Sequence, residues 1–471
     1  MDVRVKDIIK ICNGTLICGN EETICENFSK DTRTIQKNDT YVGIKGERFD
    51  GNCFYEDALE KGAKVCILQN MEILDEVKKK YEDRCIILVE DTIKAIQQIA
   101  SYKRDLYNIP VVAVTGSAGK TSTKDMIASV VGTSYNVLKT AGNLNNHIGV
   151  PMTILGLKKH NALVVEMGMN NLGEISVLSK IAKPNIAVIT NVGTAHIGNL
   201  GSRENILKAK LEIVEGLKED GILIINNDND LLHEWQKDQK GNLKIETYGI
   251  ENDSNLTALN IQLEDNSSNF YVHFKQNENN RMDDENILVP VGGLHFIYNA
   301  LCAIAVGKIL GISMEKIKIG IANFELSKNR MEIEKTNGVT IVNDCYNANF
   351  DSMKAALESV SKMEGKRRIA ILGDMLELGE FSKELHNKVG LEVVKNNIDI
   401  LVTVGKEAEN IANIACEKGM NETYTLKSNE EAINLMRSIV KNGDIILIKA
   451  SNGMKFIEIV NSLKEMVLKK L

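Results

Sequence analysis

Proline is scarce in this chain, four in 471 residues, and there is a single tryptophan. So little proline excludes collagen-like and proline-rich architectures and leaves ordinary helices and strands as the building material. No apolar run reaches the length of a membrane-spanning helix, and the opening Met1-Asp2-Val3-Arg4-Val5-Lys6-Asp7 alternates charge where a secretory signal would be apolar. The expectation is a cytoplasmic protein with no membrane insertion. A basic surplus is also missing: Lys and Arg number 57 against 64 Asp and Glu, a net charge of -7. No nucleic-acid partner is therefore expected, and any phosphate must be recognised locally. The nine cysteines (12, 18, 25, 53, 66, 85, 302, 345 and 416) are odd in number and never form a CxxC pair, which fits reduced thiols better than disulfides or zinc.

What is present is enough apolar sequence for about three domains. Residues 1–107 mix short β-type runs, 64–68 and 85–89, with polar turns and end in a helical stretch over 92–106. Asn108-Ile109-Pro110 then reads as a hinge. From 111 the β-branched runs 111–115, 163–166, 186–190 and 222–226 alternate with helical segments. Continuous apolar strands of this kind are buried on both faces, so they predict a parallel sheet covered by helices. Between 243 and 290 alternation and abundant Asn, Asp and Ser predict antiparallel strands at the sheet's edge. After Arg330 apolar strands at 369–372, 400–404 and 445–448 predict a smaller doubly wound unit.

The segment Val111-Val112-Ala113-Val114-Thr115-Gly116-Ser117-Ala118-Gly119-Lys120-Thr121-Ser122 is a buried strand turning through two glycines into a helix. Backbone N–H groups there can approach phosphate oxygens, the helix start favours anions, Lys120 can reach the β/γ-phosphates and the Thr121 hydroxyl can ligate Mg²⁺. The spacing is GxxGKT, with Val114 where the Walker A pattern has its first glycine, so the phosphate loop is a shortened one.

Three further residues fall near that loop if the sheet is parallel. Glu166 ends an apolar strand, where it is either a magnesium ligand or a solvated strand-end carboxylate. His196 follows the next strand on a loop, as a ligand or as an ordinary surface or core histidine. Lys210 falls inside the apolar stripe Ile206, Ile213, Val214 and Leu217 of a helix expected over 202–217, while Lys208 lies on the polar face. It either snorkels from the stripe edge or is buried with a shifted pKa and a chemical role.

TGSAGKTS at 115–122, GNLNNHIGVP at 142–151, EMG at 166–168, NVGTAHIGNLGS at 191–202 and the helix carrying Ala209-Lys210 together resemble the Mur ligases of peptidoglycan synthesis, and the resemblance covers the whole chain. DTRTIQKNDTYVGIKGERFDG at 31–51, NRMEI at 329–333, NDCYNANFDSM at 343–353 and GDMLELG at 373–379 resemble the step that adds D-alanyl-D-alanine to UDP-N-acetylmuramoyl-tripeptide. The DNPR motif of the diaminopimelate-adding ligase is absent.

The resemblance implies an α/β fold in three domains: a small N-terminal UDP-sugar-binding domain (1–107), a central P-loop NTPase-like domain with a mostly parallel sheet (108–327), and a Rossmann-like C-terminal domain (328–471) that closes on ATP and binds the incoming dipeptide. It implies ATP contacts from Thr115, Gly116, Ser117, Ala118, Gly119, Lys120, Thr121, Ser122, Asn299, Arg330 and Asp344. Two Mg²⁺ ions are implied, with Thr121, Glu166, His196 and Lys210 as metal-holding residues, Lys210 as a carbamate, and with Lys120, Glu166, His196 and Lys210 as the catalytic set. Substrate contacts are implied at Asp31, Thr32, Arg33, Lys45, Gly46, Asp50, Gly51, Asn143, Asn146, Tyr346 and Asn347. The protein is expected to act as a monomer on small molecules. Phe350 stands where the family usually has proline, and Ala450-Ser451-Asn452-Gly453 where a Gly-Ser-Arg-Gly type turn is common. Readings left standing are another amino-acid-adding ligase of the group, a folylpolyglutamate or cyanophycin type, or a P-loop regulatory ATPase.

Overall fold

The computed structural model describes residues 2–46, 49–275 and 284–469. Glu47 and Arg48, inside the stretch expected to meet the sugar nucleotide, and 276–283, inside the expected antiparallel region, lie outside the described residues.

Three sheets follow one another along the chain. The first orders its strands Thr15–Cys18, Cys85–Val89, Val65–Gln69, Asp39–Val42, Glu26–Ser29, all parallel except Thr15–Cys18. The helix Thr92–Asp105 begins where Asp91 accepts hydrogen bonds from the Ile93 and Lys94 amides. It packs on the helix Val5–Cys12 on one side and on Gly149–Leu155 and Glu174–Ala182 of the central unit on the other. Its last turn is polar but buried, because both cations find carbonyls: Lys103 Nζ donates to Leu155 O at 2.6 Å, and the Arg104 guanidinium donates to Ala182 O at 2.8 Å and Tyr107 O at 2.7 Å. Arg104 also reaches Ile109 O at 3.4 Å. The proline junction, expected as a hinge, is therefore fastened by hydrogen bonds on both sides.

The central sheet has nine strands in the order Glu285–Val289, Ser268–Phe274, Leu256–Leu263, Lys244–Gly249, Ile222–Asn226, Ile186–Ile189, Val111–Thr115, Ala162–Glu166, Val137–Lys139. Lys244–Gly249 pairs parallel to Ile222–Asn226, against the antiparallel expectation; antiparallel pairing begins only between Leu256–Leu263 and Ser268–Phe274. The signal that misled is its partly exposed amino-terminal half, where Lys244-Ile245-Glu246 imitates antiparallel alternation. Val111–Thr115, Ala162–Glu166 and Ile186–Ile189 are buried throughout, as their unbroken apolar runs require. Being parallel, they bring their carboxyl ends to one edge, where the phosphate loop starts.

The third sheet orders Glu332–Thr336, Val339–Asn343, Asp444–Lys449, Arg367–Gly373, Ile400–Val404, Thr423–Leu426, parallel but for the first pair. Period-two alternation sends successive side chains to opposite faces. Val342, Ala370, Leu372 and Leu447 join an apolar cluster that continues through the central and first sheets, whereas Ile341, Ile369, Ile371 and Ile446 form a separate cluster with Met436, Phe456 and Val460. Among the described residues no helix is long and apolar enough to cross a membrane.

Candidate active site

A cavity of about 610 Å³ opens between the central and third sheets. Its floor is the turn from Val111–Thr115 into the helix Lys120–Gly132, made possible by Gly119 at φ 76, a left-handed conformation costly for residues with a Cβ. The exit of the neighbouring strand fixes the loop's shape. Asn191 Oδ1 accepts from the Ser117 and Ala118 amides at 3.0 and 2.8 Å, the Thr190 hydroxyl donates to Ala118 O at 2.7 Å, and the Gly193 amide donates to Ser117 Oγ at 2.9 Å. Ser117, Ala118, Gly119, Lys120, Thr121 and Ser122 all line the cavity. Thr115 does not: it is buried and its hydroxyl donates to Met167 O, so it shapes the turn. Gly116 is likewise off the wall, accepting through its carbonyl a 2.9 Å bond from Lys120 Nζ. Burial lowers the Lys120 pKa, which the Glu166 charge partly opposes.

Glu166, 2 % exposed at its strand end, is no solvated carboxylate. Its Oε2 accepts from the Thr121 hydroxyl and its Oε1 from Asn145 Nδ2, each at 2.8 Å, and Arg330 Nη2 reaches Thr121 Oγ1 at 2.9 Å. A hydroxyl and a carboxylate meeting beside a phosphate loop form the all-oxygen donor set that suits Mg²⁺. His196 lines the same cavity with its backbone at φ 63. Its Nδ1 stands 2.8 Å from Glu377 Oε2 of the third sheet's loops, off the direction a ring N–H needs for a directed hydrogen bond. It holds the Glu377 carboxyl below its usual pKa. Among the described residues no group of three or more His, Cys, Asp and Glu side chains is placed to hold a metal.

The helix carrying Lys210 is shorter than expected. It spans Arg203–Leu211, capped by Ser202, and tightens into a 3₁₀ turn over Glu212–Gly216. Lys210 sits in the last α-helical turn at 2 % exposure, behind the cavity wall rather than on it. Burial, and secondarily the nearby Lys120 charge, push its pKa far down. Snorkelling is thereby excluded.

Across the cavity, Asn299 on the helix Leu294–Ile309 accepts from the Thr123 hydroxyl at 2.9 Å, leaving its buried Nδ2 without a partner and available to a ligand's acceptor atom. Arg330 stacks 3.9 Å above the Tyr346 ring. Asp344 lines the wall, but its carboxylate already meets Lys449 Nζ at 2.6 Å and the Met331 amide at 3.1 Å. Lys449 also donates to Asn347 O at 3.0 Å. Asn143, Asn146, Tyr346 and Asn347 are on the wall, Asn146 with its Oδ1 occupied by the Gly149 amide at 2.9 Å.

The first-sheet residues are not brought there. Asp31 and Arg33 form their own bidentate pair at 2.8 and 2.6 Å, which draws the Asp31 carboxyl down to about 2. Thr32 lies between them, Lys45 and Asp50 pair through an antiparallel backbone β-bridge, the Gly46 amide donates to Phe49 O, and the Gly51 amide donates to Ile44 O, all away from the cavity wall. The sequence did not single out Asn145, Asn191, Asn349, Asp351, Glu377 or Lys449. The third-sheet members of this set act on the central loops: Asn349 Nδ2 donates to Ser117 O at 3.2 Å and Asp351 Oδ2 accepts from the Thr194 amide at 3.1 Å. Asn145 and Asn191 lie within recognised motifs, but spacing gives no sign of which loop atoms they meet.

The sequence and the fold are shared with known proteins. The Mur ligase middle domain matches residues 114–307, and the domain described as Mur ligase, glutamate ligase domain matches 329–452. The chain is 38% identical over 468 residues to the UDP-N-acetylmuramoyl-tripeptide--D-alanyl-D-alanine ligase of Bacillus subtilis, covering 98% of both chains, and 33% identical to that of Escherichia coli over 99% of both. MurF of Acinetobacter baumannii superposes with a TM-score of 0.87 at 29% identity over 99% of both chains. MurF of Thermotoga maritima, solved in complex with ADP, superposes with a TM-score of 0.82 at 27% identity over 95% of this chain and 99% of that one. With full-length relatives above 30% identity and the phosphate loop, its carboxylate and the third sheet in one cavity, this chain belongs to the Mur ligase family.

Proposed function

We propose that this protein is an ADP-forming ligase that joins D-alanyl-D-alanine to UDP-N-acetylmuramoyl-tripeptide, acting as a cytoplasmic monomer in peptidoglycan precursor synthesis. The observation that carries the reading is the meeting of Lys120, Thr121 and Glu166 in one cavity whose far wall comes from the third sheet, in a chain similar over its full length to ligases of that name. The division of labour that fits is sugar-nucleotide binding by 1–107, ATP binding by 108–327 and closure with dipeptide binding by 328–471.

A carboxylate does not yield to an amine at neutral pH, because oxide would have to leave. Phosphorylation by ATP turns it into an acyl phosphate, whose leaving group is phosphate; the amine then forms the amide, and ADP and phosphate depart. Lys120 and the loop amides hold the transferring phosphoryl group, and Asn299 presents its free Nδ2 to the base. Arg330 and the third-sheet loops close over the site and exclude water from the acyl phosphate. Thr121, Glu166 and His196 are the residues that would hold magnesium, which when bound neutralises phosphate charge. Lys210, whose ammonium form burial disfavours, fits modification by CO₂, the neutral amine gaining a carboxylate and releasing one proton, so that a second cation could be held from behind the wall. The first-sheet residues Asp31, Thr32, Arg33, Lys45, Gly46, Asp50 and Gly51 would hold the sugar nucleotide's far end.

ADP release measured with UDP-N-acetylmuramoyl-tripeptide against D-alanyl-D-alanine, L-lysine, diaminopimelate and glutamate tests the reading. Turnover with D-alanyl-D-alanine alone is expected. Turnover with another amine would reassign the substrate, and hydrolysis indifferent to any amine would make the chain a regulatory ATPase.

A further inference from the structure

Two acids of the third unit line the cavity, and both already have partners: Asp344 is paired with Lys449 and the Met331 amide, and Asp351 takes the Thr194 amide. Glu377 differs. Its side chain is 56% exposed, and among the described residues its sole charged neighbour is the His196 ring, which it meets without a directed hydrogen bond.

The loop that presents Glu377 is built to hold it there. The Met375 amide donates to His386 Nε2 at 3.0 Å, and His386, buried and kept neutral, donates through Nδ1 to Ser382 O at 2.7 Å. The Leu376 amide donates to Ser451 Oγ at 2.9 Å. With the flanking amides pinned, Glu377 is carried at φ 64, a conformation an ordinary residue adopts at a cost, and it faces His196, itself at φ 63. Paired strain of this kind at a domain boundary persists where the surroundings over-determine it, and it clusters at functional sites. Beside Glu377, Leu376 leaves 45% of its surface exposed.

We infer that Glu377 anchors the ammonium group of the incoming amine substrate, delivering it from the third unit to the His196 side of the cavity, with Leu376 offering apolar surface to a small side chain. The inference rests on the ligase reading above. An exposed carboxylate whose one charged neighbour is His196, with apolar surface next to it, complements a small dipeptide entering by its N-terminus, and the contact with His196 marks where that amine arrives. Asp344 is already neutralised by Lys449, and Asp351 is held to the Thr194 amide.

The test is steady-state kinetics of Glu377→Gln and Glu377→Asp with ATP, UDP-N-acetylmuramoyl-tripeptide and D-alanyl-D-alanine, alongside acyl-phosphate trapping by hydroxylamine. Hydroxylamine is a neutral nucleophile at the assay pH and carries no ammonium for Glu377 to hold. The expected result is a tenfold or greater rise in KM for the dipeptide in Glu377→Gln, partial recovery in Glu377→Asp, and ATP KM within twofold of wild type. The loss should be confined to the dipeptide reaction and spare trapping. An unchanged dipeptide KM overturns the inference, as does an equal loss in trapping or a raised Mg²⁺ requirement with dipeptide KM unmoved, which would make Glu377 a metal ligand. If wild-type enzyme forms no amide with D-alanyl-D-alanine, it is the ligase reading that fails, before Glu377 is tested.

Discussion

Replacing Gly193 by alanine would push a methyl group into the joint between the phosphate loop and the third unit. A Cβ at that position falls 1.9 Å from Asp351 Oδ2 and 2.6 Å from its Cγ, so the aspartate must swing away. Its side chain is short and sits in the first turn of Phe350–Ser361, so moving costs little sterically but breaks the bond it accepts from the Thr194 amide. A hydrogen bond to a charged group is worth about 1.5–3 kcal/mol. If that energy holds the third unit closed on the loop, catalytic efficiency falls roughly 10- to 100-fold, since each 1.4 kcal/mol is about a factor of ten. The assay is kcat/KM for tripeptide- and dipeptide-dependent ADP release, with small-angle scattering to read the domain spacing. Because both substitutions remove one interaction, Gly193→Ala combined with Asp351→Ala should be little worse than Asp351→Ala alone. Full activity in Gly193→Ala, or losses that simply add in the double variant, would refute the reasoning.

Lys210→Ala should lose most activity and regain part of it with added short carboxylates, while intact protein should show one CO₂ added at Lys210; normal turnover without Lys210 sinks the carbamate. Asn145→Ala, which frees one Glu166 oxygen, should weaken Mg-ADP binding by about 10- to 100-fold in calorimetry. Unchanged affinity would show that Asn145 does not orient the carboxylate. Lys103 gives a pH signature. Burial brings its pKa from 10.5 down to about 8, so between those values the unfolded chain binds more protons than the folded one and stability rises with pH, by about 3 kcal/mol at most. Below about pH 8 both states are protonated and the burial cost is fully felt. Urea midpoints of wild type and Lys103→Met should therefore diverge in favour of wild type from pH 8 to 10, and parallel profiles would show that Lys103 is not desolvated as its contacts indicate.

The parts of the fold legible in the sequence were those fixed by local physics. Val111–Thr115 and Ala162–Glu166 announce themselves because a strand buried on both faces needs no polar residue, and the phosphate turn because Gly119 and Lys120-Thr121 follow it directly. Lys210 was visible as a cation in the wrong stripe, although the helix ends six residues earlier than its apolar pattern because Glu212–Gly216 tightens. The pairing of Lys244–Gly249 was misread since polar residues at the strand's partly exposed start imitate antiparallel alternation. Glu377 and Asp351 were invisible as site residues because their partners, His196 and Thr194, lie more than 150 residues away, and no spacing rule spans that distance. Asp344 was expected to contact the nucleotide and lies on the cavity wall, but that Lys449 already neutralises it depends on strand pairing within the third sheet.

The two faces of that third sheet lead different lives. One is welded into the apolar cluster that runs on through the central and first sheets, and the other is roofed by the helices Asn429–Ile439 and Ile457–Lys469 around Phe456 and Val460. The roof touches neither the phosphate loop nor its carboxylate. A local opening of that roof would admit solvent to its own amides and leave the machinery on the opposite side assembled.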